Sequence, residues 1–338
     1  MKKIISVLIG IMIALSVIMP AAVFAAEENI LELGKTVDFM PGTSPQVYYF
    51  TPTESNAYRF DGIYNEDVMG MPGQGTASYN IMDMNGNYME REAFRDSAIQ
   101  KTFYAFFLKA GVKYKINIYF SKQCSFTVSS FKIAENIDIY LNGSIANQSY
   151  TAYIGVPVYV SKGQQSSSAF LGSVEYTISN KEVGELDNSN TIKFLKAGET
   201  DLTAISETGV SNTVHITVKE PKSLELDSPV SLTQDCTAYS FVPSEDGAYG
   251  FNASNYPYNN FFLYHDNQYV SQCKNIRYDN GYVLQCELKA GEKYTVVFNN
   301  YLSNVQLNVS KLEKAQKLEL YYQYASQPVT EINAEIGG

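Results

Sequence analysis

Residues 108–118 have the sequence Leu-Lys-Ala-Gly-Val-Lys-Tyr-Lys-Ile-Asn-Ile, a four-residue turn word followed, from Lys113, by strict alternation of polar and apolar side chains. The alternation predicts a β-strand that buries Tyr114, Ile116 and Ile118 on one face. The word Leu-Lys-Ala-Gly recurs at 195–198 and 288–291. A word that recurs at wide spacing indicates repeated modules, which must be found before a fold is assigned.

Around the first and third copies the similarity extends over whole modules. Residues 51–60, Thr-Pro-Thr-Glu-Ser-Asn-Ala-Tyr-Arg-Phe, match residues 242–251, Val-Pro-Ser-Glu-Asp-Gly-Ala-Tyr-Gly-Phe. The middle copy lies in unrelated sequence. We therefore interpret the outer modules as a duplication. The middle Leu-Lys-Ala-Gly copy we interpret as a convergent use of the same strand-ending turn. In all three copies we expect the leucine to end an inward-facing strand and the glycine to turn the chain at positive φ.

A further repeat makes the unit composite. Ala134–Tyr140 is matched by Ala315–Tyr321, 181 residues later, and the outer words are 180 residues apart. An outer-type module followed by a middle-type module thus repeats, and we expect residues 314–338 to be the start of a truncated second copy.

Strand signals dominate the rest of the chain. Thr213–Val218 alternates and predicts an outward His215, and Tyr294, Val296 and Phe298 repeat the pattern of the first module. Val, Ile, Thr, Tyr and Phe are separated by Asn, Gly and Ser, as strands and turns require. The predicted fold is all-β: tandem β-sandwich modules, jelly-roll-like and immunoglobulin-like, in an elongated array joined by short links. The predicted domains are a signal peptide at 1–25, a jelly-roll-like sandwich at 27–133, an immunoglobulin-like domain at 134–220, a second jelly-roll-like sandwich at 221–313, and the truncated repeat at 314–338.

The N-terminus has the pattern of a secretory signal. Lys2-Lys3 precede the apolar stretch Ile4–Met19, and Val23-Phe24-Ala25 fits cleavage before Ala26. An uncleaved membrane anchor is the competing interpretation. After removal of the signal we expect no membrane span. The net charge of −10 is spread along the chain and argues against nucleic acid as a partner.

The four cysteines are too few to carry the fold. Cys273 and Cys286 flank a turn-rich segment and could face each other across a hairpin as a disulfide. Cys124 and Cys236 lie in different modules, and we expect them to be unpaired. The spacing of cysteines and histidines does not fit a zinc site.

No catalytic motif occurs, so we predict that the chain is not an enzyme. The segment Asp83–Asn87 begins like a calcium loop, but Tyr88 and Phe94 occupy the positions where an EF-hand needs Gly and Glu. Asn85-Gly86 favours a two-residue hairpin turn instead. We predict no cofactor and no metal site, with a structural calcium held by loop carboxylates such as Asp61, Glu66 and Asp67 left as an alternative.

Tyrosine is abundant, with 27 residues, while tryptophan is absent. Tyrosines beside amide side chains suit sugar rings and protein interfaces. The candidate ligand-binding residues are Tyr256, Tyr258, Tyr264 and Tyr269. The competing interpretation is that most of these side chains line strands and pack the sandwich.

The middle module and the two outer modules resemble known families. Residues 134–220 resemble the group 2 bacterial immunoglobulin-like domain through Tyr176–Asn180, Phe194–Thr203 and Val214–Val218, with Tyr176 where the family usually has Trp. The outer modules are similar to the bacterial pre-peptidase C-terminal domain through Tyr48–Phe60 and Leu108–Tyr114, and through Tyr239–Phe251 and Leu288–Tyr294. These resemblances imply non-catalytic sandwich modules of bacterial surface and secreted proteins.

The predicted function follows from these observations. We expect a non-catalytic protein, secreted or on the surface of a bacterium, that acts as a stalk, spacer or adhesive element and whose partner would be an extracellular protein or a glycan. One alternative is an accessory region of a secreted hydrolase whose catalytic domain is absent from this chain. A further alternative is a glycan-binding module.

Overall fold

The computed structural model describes residues 28–40, 45–64, 77–96, 101–120, 123–163, 169–233, 237–256, 261–278, 281–298 and 304–312. Within these ranges the regular structure consists of 27 β-strands, and no helix occurs. The predicted all-β fold of tandem sandwiches is therefore confirmed. The predicted signal peptide and the predicted truncated repeat lie outside the described residues.

The first eight strands form two sheets that enclose one core, which we call the N-terminal sandwich. The sheet orders are β1-β8-β3-β6-β5 and β2-β7-β4. The core contains phenylalanines of the first sheet and Ile81, Tyr114, Ile116 and Ile118 of the second. The strands are β1 Thr36–Phe39, β2 Gln46–Phe50, β3 Asn56–Tyr64, β4 Ser78–Met82, β5 Glu92–Asp96, β6 Lys101–Leu108, β7 Tyr114–Tyr119 and β8 Cys124–Phe131.

The next nine strands form the middle sandwich. Its sheets have the orders β10-β9-β12-β15-β14 and β11-β17-β16-β13, and β11 pairs with β17 in parallel. Val214, Ile216 and Val218 are buried and His215 is exposed, as the alternation predicted. The strands are β9 Ile139–Leu141, β10 Ser144–Ile145, β11 Ser149–Tyr153, β12 Val158–Lys162, β13 Val174–Ile178, β14 Gly184–Leu186, β15 Thr191–Phe194, β16 Gly198–Ser206 and β17 Ser211–Lys219.

The last ten strands form the C-terminal sandwich. Its sheets have the orders β18-β20-β26-β22-β23 and β19-β27-β21-β25-β24. Tyr294, Val296 and Phe298 are buried, again as predicted. The strands are β18 Lys222–Ser223, β19 Val230–Ser231, β20 Ala238–Phe241, β21 Gly247–Ser254, β22 Phe261–His265, β23 Gln268–Tyr269, β24 Lys274–Tyr278, β25 Gly281–Leu288, β26 Tyr294–Phe298 and β27 Gln306–Lys311.

The two outer sandwiches correspond strand by strand. The order β1-β8-β3-β6-β5 is repeated by β19-β27-β21-β25-β24, and β2-β7-β4 is repeated within β18-β20-β26-β22-β23. The Tyr58 hydroxyl donates to the Glu54 carbonyl at 2.8 Å, and the Tyr249 hydroxyl donates to the Glu245 carbonyl at 2.9 Å. The shared Glu-x-x-x-Tyr spacing thus encodes the same tyrosine contact in both copies.

The turn word has the same structure in both outer copies. Gly111 and Gly291 have φ of 72° and 77°, which glycine adopts readily. Their amides donate to the carbonyls of Pro52 and Pro243 at 2.8 and 2.9 Å. The word therefore locks the end of one strand against the shared proline of the duplicated segment.

The middle copy of the word does not follow the predicted device. Leu195 comes after β15 rather than ending it and is 48 % exposed, because Phe194 is the last buried residue of that strand. Gly198 has φ of 153° and is the first residue of β16 instead of a turn residue. The prediction of one shared device is wrong for this copy.

The turn after β4 also differs from the prediction. The Gly86 amide donates to the Asp83 carbonyl at 3.1 Å, and the Asp83 amide donates to the Asn87 carbonyl at 2.9 Å. Because Gly86 has φ of 89°, Met84, Asn85 and Gly86 form a three-residue loop rather than a two-residue turn. Hydrogen bonds from the Asn87 side chain and backbone, and from Asn85, hold the pKa of the Asp83 carboxyl below its ordinary value.

The chain divides into two compact units. The first comprises Met1–Asp138, Lys162–Glu175 and Ala204–Asn212, and the second comprises Ile139–Ser161, Tyr176–Thr203 and Thr213–Gly338. Each unit therefore contains one outer sandwich and part of the middle sandwich. The predicted module boundaries follow the sequence repeat and remain predictions.

In the first unit an apolar cluster covers the outer face of the sheet that contains β3 and β6. Phe94 stacks on Phe103 with ring centroids 5.5 Å apart, and Phe131 and Phe170 complete the cluster. Phe170 is fully buried and donates its amide to the Lys132 carbonyl at 2.7 Å. This sheet of the N-terminal sandwich is therefore buried on both faces.

A group of carboxylates lies beside this cluster. Lys162 Nζ donates to the Glu92 carboxylate at 2.7 Å, and the Ser173 amide donates to the Glu207 carboxylate at 3.3 Å. Burial of the Glu207 carboxyl, with the nearby charges of Glu90 and Glu92, raises its pKa above the ordinary value of 4.5. Protonation of Glu207 therefore favours the folded first unit.

Candidate functional site

Strand β22 carries two of the predicted ligand-binding tyrosines to one surface. Phe261 and Leu263 are buried in the core, and Tyr264, which follows Leu263, projects from the other face of the sheet. Tyr264 pairs with Tyr269 of β23, and their ring centroids lie 6.1 Å apart. Tyr269 is 49 % exposed. The hairpin therefore presents a tyrosine pair at the edge of the C-terminal sandwich.

The segment Tyr153–Val156 covers the neighbouring part of the same face. Ser240 and Thr295 occupy outward positions in register with Tyr264, yet Thr295 is only 4 % exposed. The Thr237 amide donates to the Tyr153 hydroxyl at 3.1 Å, and both Tyr153 and Val156 belong to the apolar cluster of the C-terminal sandwich. The covering segment leaves Tyr264 and Tyr269 at its margin.

A cleft of about 490 Å³ lies beside this segment. Among the described residues of its lining none is acidic or basic; tyrosine phenols, an amide and hydroxyls supply their polar side-chain groups. The lining residues are Leu141, Asn142, Ser144, Tyr150, Thr151, Ala152, Tyr153, Val156, Val158, Thr237, Val297 and Phe298.

Asn142 organises one wall of the cleft. Asn142 and Gly143 have φ of 49° and 78°, the conformation of an Asn-Gly turn between β9 and β10. The Tyr159 amide donates to the Asn142 side-chain oxygen at 2.8 Å. The same side chain hydrogen-bonds with Tyr150 and opposes the rise in the pKa of that phenol that burial causes. One turn residue therefore fixes the positions of two tyrosines.

Tyr264 lies near Tyr150, Tyr159 and Tyr269, and of these four only Tyr150 lines the cavity. Burial raises the pKa of Tyr264, and the phenols of Tyr159, Tyr269 and Tyr150 raise it further. Tyr159 projects outward from β12 and is 58 % exposed. We call Tyr150, Tyr159, Tyr264 and Tyr269, with the adjoining cavity, the tyrosine cleft. With their pKa raised, Tyr150 and Tyr264 stay neutral near pH 7 and can both donate and accept hydrogen bonds.

The outcome differs for the other predicted tyrosines. Tyr256 is 0 % exposed and packs edge-to-face against Phe298 with centroids 5.1 Å apart, so it is a core residue and its prediction as a ligand contact is wrong. Tyr258 lies outside the described residues. Sequence reasoning missed Tyr150 and Tyr159, although the alternation in Val158–Lys162 and the neighbouring Asn-Gly pair were visible signals.

The described cysteines and acidic groups do not form a metal site. Cys273 and Cys286 form a disulfide, whereas Cys124 is a free thiol whose burial raises its pKa to about 11. Cys236 lies outside the described residues. His215 Nδ1 lies 2.8 Å from the Asp201 carboxylate on an exposed strand face. Within the described part of the chain no group of three or more His, Cys, Asp or Glu is arranged to hold a metal ion.

Of the three carboxylates named for a loop calcium site, only one belongs to a described residue. Asp61 pairs with Arg59 Nε at 2.6 Å, and Glu66 and Asp67 lie outside the described residues. Among the described residues there is also no helix with the length and apolar character needed to cross a membrane.

Comparisons with known proteins show no shared family. No family model matches the chain, and no curated protein matches it. The Clostridium perfringens ZmpB M60 catalytic domain with its CBM51 domains is 9 % identical with a TM-score of 0.20, over 81 % of this chain and 33 % of that chain. The surface layer protein SbsC, domains 4–9, is 11 % identical with a TM-score of 0.22, over 77 % and 46 % of the two chains.

A third solved structure is the Bacteroides ovatus protein SGBP-B from a mixed-linkage glucan utilization locus, in complex with a mixed-linkage heptasaccharide. It is 10 % identical with a TM-score of 0.17, over 83 % of this chain and 94 % of that chain. At these scores none of the three similarities supports a functional inference. The chain spans about a third of the length of the ZmpB structure.

Proposed function

We propose that this chain is a non-catalytic, extracellular bacterial protein that binds a neutral glycan in the tyrosine cleft. The observation that carries the proposal is the chemistry of the cleft. The exposed rings of Tyr159 and Tyr269 lie near a cavity whose lining includes Tyr150, amide and hydroxyl groups, and none of the described residues of that lining is acidic or basic. Aromatic faces pack on the apolar faces of sugar rings, while neutral phenols and amides satisfy sugar hydroxyls.

The size of the cleft agrees with such a ligand. Small-molecule sites commonly have volumes of about 300–1,000 Å³ and combine an apolar lining with a few placed polar groups. The cleft, at about 490 Å³, lies within this range. Asn142 supplies preorganisation, because its side chain already holds the Tyr159 backbone and Tyr150 before any ligand arrives.

The same lining argues against hydrolysis in this cleft. Glycoside hydrolysis usually requires two carboxyl groups that flank the scissile bond. The lining residues that the structure describes include neither Asp nor Glu. A ligand bound here would therefore be held rather than cleaved, which suits an adhesive element or an accessory region of a secreted hydrolase.

The proposed location and family membership rest on the sequence. The signal at residues 1–25 directs export, and the Cys273–Cys286 disulfide suits an oxidising compartment. The resemblance of 134–220 to the group 2 bacterial immunoglobulin-like domain, and of the outer modules to the pre-peptidase C-terminal domain, supports a surface-displayed stalk with binding capacity.

A glycan array of neutral and charged glycans tests the proposal with the full chain. We expect wild type to bind neutral glycans and the Tyr159→Ala and Tyr269→Ala variants to lose that binding. Leu195→Ala is the control, because Leu195 is 48 % exposed, as Tyr269 is to a similar extent, and does not line the cleft. Circular dichroism checks that each variant folds. Absence of any neutral-glycan binding, or binding that survives both cleft substitutions, would refute the proposal.

A further inference from the structure

The duplication places an equivalent face on the N-terminal sandwich, and there it is open. Cross-strand pairing connects one outward row of five residues across this face, and the same row exists in the C-terminal sandwich. The row of the N-terminal sandwich is Ile30, Tyr49, Lys115, Met82 and Tyr88, and that of the C-terminal sandwich is Ser223, Ser240, Thr295, Tyr264 and Tyr269.

The two rows differ in what covers them. The segment Tyr153–Val156 buries Ser240 and Thr295 in the C-terminal sandwich. In the N-terminal sandwich the equivalent Tyr49 and Lys115 are partly exposed, and Tyr88 is 70 % exposed. The side chains at equivalent positions of the two rows agree with this difference. They are small where the segment packs, and large and polar or aromatic where solvent has access.

The next row of the open face adds hydrogen-bonding groups. Asn117 of β7 donates its side-chain amide to the Asn80 side-chain oxygen of β4 at 3.0 Å. Both residues are partly exposed. Tyr119, at the end of β7, is exposed in the row beyond. Amides between aromatic rings thus repeat the chemistry of the tyrosine cleft on a flat surface.

The open face carries a positive charge that the cleft lacks. Lys115 is the one charged side chain among the described residues of the five-residue row and its neighbouring Asn80–Asn117 row. Beside the face, Lys113 Nζ lies 4.4 Å from the centroid of the Tyr49 ring and pairs with Glu28. The nearby Asp83 carboxylate is occupied by amides of its own turn. On a chain of net charge −10, Lys115 therefore gives this face one positive charge with which an anionic group can pair.

We infer that the face formed by β2, β7 and β4 is a second binding site, and that it takes a polysaccharide bearing uronate carboxylates. Tyr49 and Tyr88 would hold sugar rings, the Asn80–Asn117 pair would contact hydroxyls, and Lys115 would pair with a carboxylate. Three strand spacings separate Tyr49 from Tyr88, about 14 Å at about 4.8 Å per spacing, which suits an extended polymer. This inference stands on the open face alone and does not require that the tyrosine cleft bind anything.

Affinity electrophoresis and biolayer interferometry of the full chain with polygalacturonate test the inference, with a neutral β-glucan as the uncharged comparison. We expect wild type to bind polygalacturonate with an affinity that falls as salt rises. Lys115→Glu and Tyr88→Ala should each weaken this binding about tenfold, because one places like charges together and the other removes an aromatic platform. Lys115→Arg should retain it.

Tyr269→Ala is the matched control, because it removes the equivalent tyrosine of the other sandwich and should leave polygalacturonate binding within about twofold of wild type. Three results would overturn the inference: no binding of polygalacturonate at low salt, binding unchanged in folded Lys115→Glu, or equal loss in Tyr269→Ala. The last result would locate the anionic glycan in the tyrosine cleft. Neutral β-glucan binding reports on the cleft separately, so the two proposals can fail independently.

Discussion

Replacing each glycine of the repeated word with alanine should separate the two structural uses of that word. Gly111 and Gly291 have φ near 75°, and a Cβ added at either would meet nothing within 4 Å. The cost is then conformational, about 1–2 kcal/mol for a left-handed residue, offset by about 0.4–1 kcal/mol because alanine restricts the unfolded chain. We expect a net loss of about 1 kcal/mol at each site. Gly111→Asn should cost less, since Asn tolerates this region.

Gly198 should behave differently. A Cβ at this position would lie 2.9 Å from Val183 Cγ2, and Val183 is buried. Overpacking of a core typically costs about 1–3 kcal/mol, in addition to the strain of a non-glycine residue at φ of 153°. Gly198→Ala should therefore destabilise the middle sandwich more than the other two substitutions destabilise theirs. Val183→Ala should offset part of this loss in the double variant, although it is destabilising alone.

Hydrogen-exchange mass spectrometry of the full chain is the suitable assay, because it reports opening free energies separately for the peptides around each glycine. The double-mutant cycle for Gly198 and Val183 supplies the coupling energy. Equal losses at all three glycines, together with zero coupling between Gly198→Ala and Val183→Ala, would refute the assignment of two different devices to one word.

Three further perturbations address stability. Removal of the Cys273–Cys286 disulfide by the double Ala variant should lower the unfolding free energy of the C-terminal sandwich by about 3 kcal/mol, because the bond closes a short loop with a separation of 13 residues; a denaturant titration that shows no change contradicts this. Tyr249→Phe should cost about 1 kcal/mol in the same titration, through loss of the hydrogen bond to the Glu245 carbonyl. Glu207→Gln should stabilise the first unit at pH 7 but not at pH 4, as thermal unfolding at both pH values will show. The pKa of Glu207 is raised in the folded state, so protonation of its carboxyl stabilises the fold. This stabilisation is fully present below pH 4.5, the ordinary pKa, and is lost as the pH rises through the pKa of the folded state.

The fold class and the duplication could be predicted because both depend on local patterns. Alternation placed Tyr114 and Ile116 in one core and Tyr294 and Val296 in the other, and all four are buried. A strand half-buried in a sandwich repeats its chemistry every second residue, so period alone identifies its inward face.

The site could be predicted only in part, because it depends on pairings between distant segments. Tyr264 and Tyr269 are close in sequence and meet across one hairpin. Tyr150 and Tyr159 reach the same place through the middle sandwich, and the sequence contains no pattern that relates them to β22. Tyr256 shows the opposite failure, because its loop-like neighbours Asn and Pro suggested exposure while the folded chain buries its ring against Phe298.

The duplication itself indicates where function has diverged. Some residues that fill the two cores and end the strands are shared, as with Tyr58 and Tyr249. Four of the five positions of the outward row differ, among them Lys115, which stands where the other copy has Thr295, while Tyr88 and Tyr269 are alike. Surface substitutions alter stability little, so the fold leaves these outer positions free to differ. The changed row agrees with what each face contacts. One face packs against a neighbouring segment and leaves an uncharged cleft at its margin, and the other remains accessible with aromatic rings, amides and a single positive charge.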